Sequence, residues 1–178
     1  GGSMSAYDPG MRRVLPHLRW RGIHALDGAL LTHADLDHMR GFFAIASLAT
    51  PETFYTDPRQ LEVDEHAALI EEMERHGSAA RFLTQDMLLH QTEDASLKVL
   101  VPFAGQEIES LARNDASLTV LVEYAGVRIL LPGDLEHEGE RWLGAHPEFS
   151  GSDSEGVTIL KMGHHGSKTS SDEALLHA

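Results

Sequence analysis

Between residues 33 and 38 the chain reads His-Ala-Asp-Leu-Asp-His, which places four side chains able to bind a metal ion within six residues. Imidazole and carboxylate are the nitrogen and oxygen donors that hold zinc or manganese, and a carboxylate-rich set favours the harder ion. Groups this close repel one another or lose hydration unless a cation stands between them. Two later stretches carry the same residue types. Asp134 ends the run Leu131-Pro132-Gly133-Asp134, and His164-His165 lie between Gly163 and Gly166. Adjacent histidines in so polar and glycine-rich a loop do not both belong to a core, so at least one of them faces a site. Taken alone, Asp134 is equally well explained as a helix N-cap, and His33 to His38 as a solvated acidic loop. Taken together, the three clusters favour metal binding.

Each cluster follows a strand-like run. Gly28 to Leu31 is short, apolar and bounded, as a buried strand is, and the loop after such a strand is a favoured place for ligands. Met39 to Leu48 reads as a helix, with Phe42, Phe43, Ile45 and Leu48 apolar. Its N-terminus points at the first cluster, where its positive end favours an anionic phosphate. Ser117 to Glu123 and Val127 to Leu131 form a hairpin about Ala125-Gly126; its second strand empties into Asp134, with an acidic helix following. Val157 to Leu160 is a strand that empties into the double histidine. Ser170 and Ser171 supply capping oxygens for a helix beginning near Asp172, and Lys168 is placed to meet an anion.

The remaining elements read as scaffold. Met11 to Gly22 contains Arg12, Arg13, Arg19 and Arg21 without an acid, and has helical spacing that Pro16 either limits or joins in its first turn. A solvated helix face is the plainer reading and a phosphate-contacting patch the sharper one. Glu52 to Tyr55 is a strand. Arg59 to His76 is an outer helix with His66 and His76 on or beside its polar face as surface residues. Ala80 to Phe103 is a meander of strands, in which His90 is isolated and not a ligand, and Glu107 to Arg113 is a short helix.

A chain of 178 residues accommodates one domain with a substantial core. It contains no cysteine, so any metal is held by nitrogen and oxygen. No apolar run approaches the roughly 20 residues that span a bilayer, and the first residues do not read as a secretory signal, so a soluble piece is expected. Gly1-Gly2-Ser3-Met4 reads as an expression scar, leaving 5–178 as a single domain. Asp and Glu number 28 against 14 Lys and Arg, which argues against nucleic-acid binding through bulk charge. Bound cations and a local basic face have to offset that balance.

Three stretches, Thr32 to Gly41, Asn114 to Asp134 and Leu160 to Ser171, together resemble the metallo-β-lactamase superfamily. They look most like the nuclease domain of ComEC-type competence proteins, which take up DNA. The usual first motif of the superfamily is His-x-His-x-Asp-His; here Asp35 stands at the second position, a substitution typical of the competence branch. The resemblance implies an α/β fold, the αββα metallo-β-lactamase sandwich. It also implies that His33 and Asp35 hold one metal, that Asp37 and His38 hold a second, and that Asp134 bridges them. Asn114 falls where many relatives place another ligand histidine, to complete the first site or contact substrate. His164 and His165 match the His-His-Gly-Ser motif of the branch, with one expected near the metals and the other as an acid for the leaving group. The motif leaves their order open; His164 is placed provisionally with the ligands and His165 with the catalytic groups. Asp37 additionally orients the nucleophile, while Ser167, Lys168, Arg12 and Arg13 are candidate substrate contacts.

The family's first strands carry an Asp-x-Gly turn, matched here only by Asp8-Pro9-Gly10, and its late ligand histidine has no good counterpart, since His177 sits on the last helix. A sandwich incomplete at both ends is therefore expected. Its uncovered sheet edges would pair with another chain, as in an oligomer, or the site would be weakened.

The resemblance implies phosphodiester hydrolysis, a reaction in which two cations about 3.5–4 Å apart stabilise the attacking and leaving oxygens together. Two divalent ions are expected, with manganese favoured and zinc second. The expected substrate is DNA, as a single strand. The domain would be the strand-degrading part of a bacterial membrane protein whose channel delivers that strand. One alternative is a hydrolase of the same fold acting on a small ester, lactone, thioester or phosphodiester; another is a binding module that keeps the fold without catalysis.

Overall fold

The structure is a computed structural model, and it describes residues 8–106, 113–150 and 156–177. They form two compact units that divide between Leu83 and Thr84. The four residues read as an expression scar, and residues 107–112 of the expected short helix, lie outside the described residues.

In the first unit a π-type turn, Gly10–Val14, runs into α1 (Leu15–Trp20), with Pro16 in the first turn of α1, one of its two expected places. Then come β1 (Leu26–Leu30), α2 (Leu36–Leu48), β2 (Pro51–Thr56), α3 (Asp64–Arg75) and β3 (Ala79–Phe82). The three strands pair in the order β1-β2-β3, all parallel. Parallel neighbours require crossover connections, and α2 and α3 supply them. Leu31, Met39, Ala46, Phe54, Leu69, Ile70 and Met73 form the core. The Ala80 run, expected to open a meander, instead pairs with β2 as β3. An apolar strand segment does not by itself reveal which sheet it joins.

The long helix expected from Arg59 starts only at Asp64. Before it, Pro58–Gln60 makes a 3-10 turn in which the Asp57 carboxylate accepts from the Arg59 backbone N–H at 2.8 Å and from its guanidinium at 2.6 Å. His66 is a correction. It is 1% exposed, because within the observed helix it falls on the inward stripe with Leu69, Ile70 and Met73, at i+3, i+4 and i+7. His66 Nδ1 donates to the Gln60 carbonyl (3.0 Å), which leaves Nε2 as acceptor for the Thr56 hydroxyl at 2.7 Å. His76, by contrast, is at the surface beside Glu72.

Burial holds the His66 pKa below its ordinary value, against the opposing pull of the Gln60 carbonyl and of Asp57. The unfolded chain therefore binds this proton at higher pH than the folded one does. The stability this supplies is present above the ordinary histidine pKa and is lost as pH falls through it towards the depressed one. In chelator-treated protein, the urea midpoint is expected to drop between pH 7.5 and 5.5, and to drop less in His66→Gln. Equal drops in the two proteins would contradict the assignment.

The second unit contains β4 (Met87–Gln91), β5 (Ala95–Leu100), β6 (Thr119–Tyr124), β7 (Val127–Leu131), α4 (His137–Gly144), α5 (Pro147–Ser150), β8 (Ile159–Leu160) and α6 (Glu173–Leu176). Its sheet runs β4-β5-β6-β7-β8, antiparallel up to β7 and parallel between β7 and β8. The expected hairpin is β6-β7, turning on Ala125 (φ 48) and Gly126 (φ 79), two left-handed residues that suit a two-residue hairpin. Leu100, Leu121, Leu130, Leu135, Leu143, Phe149 and Leu175 form the core. Buried Arg128 joins Glu123 (2.9 Å) and Glu148 (3.1 Å), and Lys98 also pairs with Glu148.

Only Ile159 and Leu160 of the expected Val157 strand pair with β7. The cap of α6 is the Asp172 carboxylate, which accepts from the Ala174 N–H at 3.0 Å. The serines expected there are used otherwise: Ser170 Oγ donates to the Ser167 carbonyl at 2.8 Å. The Ala174 N–H, with Arg141 and His137 nearby, holds the Asp172 carboxyl below the usual range despite some desolvation. No described helix is long and apolar enough to cross a membrane.

Candidate functional site

In the first unit, β1 ends at Leu30 and α2 begins at Leu36, three residues earlier than expected. Asp37 and His38 therefore lie in the first turn of α2, while His33 and Asp35 lie in the loop before it. Asp35 is the N-cap residue, with extended backbone (φ −85, ψ 144), and its carbonyl accepts from the His38 and Met39 N–H groups at 3.0 and 2.9 Å. An aspartate there ordinarily also caps with its side chain. Here it makes no such bond, and its carboxylate stands 3.8 Å from His33 Nε2.

Asp37 and His38 are likewise 3.5 Å apart, and the His33 and His38 rings have centroids 4.2 Å apart. Both His-Asp separations exceed an ordinary hydrogen bond. Two donors about 2.1 Å from one cation stand roughly 3.0–3.4 Å apart in octahedral or tetrahedral geometry, close to what is seen. Each His-Asp pair, His33 with Asp35 and His38 with Asp37, thus has the donor chemistry and nearly the spacing of two ligands on one divalent ion. His33 is buried, whereas about a third of the Asp35 side chain and nearly half of Asp37 remain open to solvent.

In the second unit, β7 empties through Pro132 and Gly133, whose φ of 62 is left-handed and suits glycine. Asp134 follows, 2% exposed, its backbone N–H donating to Ser117 Oγ at 3.3 Å. It is not the cap of α4. That position belongs to Glu136, and the capping work is done from a distance by buried Asp115, whose Oδ1 accepts from the Glu136 and Gly139 N–H groups at 2.9 and 2.8 Å. Burial pushes the Asp115 carboxyl up, as do Glu136 and Glu138 nearby, while the two N–H groups pull it down.

With capping delegated, the Glu136 side chain turns elsewhere. Its Oε1 lies 2.7 Å from His164 Nδ1, accepts from the Thr169 hydroxyl at 3.0 Å, and has Asn114 Nδ2 at 3.4 Å. His164 (φ 39) and His165 (φ 54) are consecutive left-handed residues in the turn Gly163–Gly166. Non-glycine residues held this way cost on the order of 1–3 kcal/mol each and cluster at functional sites. The turn sends the two rings apart, with centroids separated by 6.2 Å. His165 Nε2 reaches Asp134 Oδ2 at 3.2 Å, while His164 faces Glu136. The two rings thus meet different carboxylates, His165 that of Asp134 and His164 that of Glu136.

Of the other candidates, Asn114 and Ser167 border the Glu136 group, since Ser167 Oγ is 2.9 Å from Thr169 Oγ1. Lys168 is exposed on the same turn, and Arg12 and Arg13 are exposed on the π-type turn of the first unit. His90 is exposed on β4. Glu136, Thr169 and Asp115 escaped sequence reading. Glu136 stands two residues after Asp134 and Asp115 directly after Asn114, but that adjacency does not distinguish them from surface acids.

The chain is 32% identical to ComE operon protein 3 of Bacillus subtilis (strain 168) over 94% of its length, and 28% identical to Competence protein ComA of Neisseria gonorrhoeae over 93%. In both cases it spans about a fifth (20%) of the relative. Among solved structures it is similar to Zn2+-bound PqqB from Methylobacterium extorquens, at 18% identity and a TM-score of 0.42, over 58% of this chain and 36% of that one. The family model for the metallo-beta-lactamase superfamily matches residues 7–178, and the chain, whose sheets and helices are the mixed α/β class expected of that fold, belongs to that superfamily.

Proposed function

We propose that this chain is a metal-dependent phosphodiesterase domain that degrades DNA, the strand-cleaving part of a competence protein that takes DNA up. Membership of the superfamily makes it a metal-dependent hydrolase by class. The observation that carries the choice of substrate is its similarity, over more than nine-tenths of its length, to proteins named for competence. In this reading the two units are halves of one domain spanning 5–178. His33, Asp35, Asp37, His38, Asp134 and His165 hold two divalent ions, with manganese favoured by the oxygen-rich donor set. When bound, such ions offset the charge that grows on a phosphodiester and lower the pKa of water.

The rest falls to the chain's own side chains. Asp37, the more open of the two acids of its motif, orients the attacking water. His164, held by Glu136 at 2.7 Å, protonates the departing oxygen. This reverses the provisional order of the two histidines, because the imidazole beside the buried Asp134 suits a ligand and the one oriented by a separate carboxylate suits an acid. Asn114, Ser167 and Lys168 contact the phosphate backbone, and Arg12 and Arg13 form part of the local basic face that the acidic chain needs. The strand arrives from a membrane channel in the remainder of the parent protein.

The deciding assay incubates the chain with single- and double-stranded DNA and Mn2+ or Zn2+, with bis(p-nitrophenyl) phosphate and a lactone in parallel. Cleavage of single-stranded DNA with Mn2+ is expected. Intact DNA alongside turnover of the lactone would favour the small-substrate hydrolase, and absence of both turnover and metal uptake the non-catalytic module.

A further inference from the structure

The first half of the proposed metal centre depends on a loop with little regular structure. Ala34, between His33 and Asp35, is 2% exposed, so its N–H needs an acceptor inside the protein. That acceptor comes from 26 residues away: Gln60 Oε1, at 2.6 Å. His33 Nε2 and the Asp35 carboxylate stand 3.8 Å apart, and the residue between them is tied down through its N–H by Gln60. A rotation of that peptide would swing both flanking donors.

Gln60 is itself 2% exposed and firmly held. Its carbonyl takes the His66 Nδ1 proton, His66 Nε2 takes the Thr56 hydroxyl, and Thr56 ends β2, the strand hydrogen-bonded to β1. On the other side of the turn, Arg59 is clasped by Asp57. The support thus runs from the end of β2 through Thr56, His66 and Gln60 to the loop that follows β1.

The orientation of the amide is forced. The Ala34 N–H is a donor, so the oxygen must face it, and Nε2 is left without a hydrogen-bond partner among the described residues. A buried amide group in that state is unfavourable, and leucine or methionine would fill the space without it. The accepting oxygen is what explains a glutamine here, since leucine would leave the buried Ala34 N–H unpaired.

We infer that Gln60 is a positioning residue which, through the Ala34 N–H, sets the spacing of the His33 and Asp35 donors and so the affinity of that half-site for a divalent cation. The inference rests on the metal-binding reading above.

The test uses the full chain, stripped with EDTA, in wild-type, Gln60→Leu and Gln60→Glu forms. Calorimetric titration with Mn2+ and Zn2+ is combined with amide hydrogen exchange of the metal-free protein. Gln60→Leu is expected to bind the cation about 10–100-fold more weakly, the usual effect of losing an outer hydrogen bond to a metal site, and to lose protection at the Ala34 amide. Gln60→Glu retains an accepting oxygen and is expected to restore both to within a few-fold of wild type. Unchanged affinity in a folded Gln60→Leu overturns the inference, and so does a folded Gln60→Glu that binds as weakly as the leucine form. A residue that serves stability alone would lower the melting temperature and leave affinity unchanged. If the wild type takes up no cation, the metal reading is what fails, and exchange at Ala34 still decides whether Gln60 holds the loop.

Discussion

Asp134→Ala is expected to lower Mn2+-dependent cleavage of single-stranded DNA by roughly 10³-fold, in line with losing a fixed charge-stabilising group. Bound metal is expected to fall by about one ion per chain. The argument starts from burial: a carboxylate 2% exposed carries a desolvation penalty that folding alone gives no reason to keep. Its position is well defined, by the left-handed Gly133 before it, by Ser117 Oγ on its backbone N–H, and by His165 at 3.2 Å. Alanine removes both carboxylate oxygens and leaves the imidazole in place. Because the buried acid is costly when no cation is present, the metal-free variant should melt at or above the wild-type temperature. Elemental analysis, a gel assay and a melt in EDTA test this together. A variant that keeps its metal and more than a tenth of the cleavage rate would remove Asp134 from the centre.

The second large effect separates the adjacent histidines. His165→Ala is expected to reduce metal content, since that ring meets Asp134. His164→Ala should keep its metal yet lose about 10²–10⁴-fold in cleavage of DNA, the range for a general acid. The loss should shrink towards unity with bis(p-nitrophenyl) phosphate, whose leaving group departs without a proton. Glu136→Gln should show the same substrate dependence at smaller amplitude, because it leaves the imidazole present but less firmly oriented. Metal loss from His164→Ala, with full loading in His165→Ala, would restore the order suggested by sequence alone.

That order illustrates what a one-dimensional reading lacks. Two histidines side by side are chemically identical in sequence, and only the left-handed backbone at both positions directs one ring to Asp134 and the other to Glu136. Asp134 was read as either a ligand or a cap; the structure makes it no cap, because Asp115 performs that task for α4. A polar histidine in a heavily charged helix reads as a surface residue, yet His66 precedes Leu69, Ile70 and Met73 by three, four and seven positions and shares their inward stripe, where Gln60 and Thr56 satisfy its ring nitrogens.

The sequence by itself determined the class of chemistry. Histidine and aspartate recur after strand-like runs, cysteine is absent, and the motifs carry the superfamily's order, all of which depend on residue type and short-range spacing. It also determined the β6-β7 hairpin and α2, whose signals lie within a few residues of one another. Tertiary structure alone decided the sheet that β3 joins, the burial of His66, the partner of each adjacent histidine and the support that Gln60 gives to Ala34. The physical reason is common to all four. Each depends on a hydrogen bond or packing contact between groups brought together by folding, and side-chain periodicity reports which face of an element is apolar without identifying what will meet it.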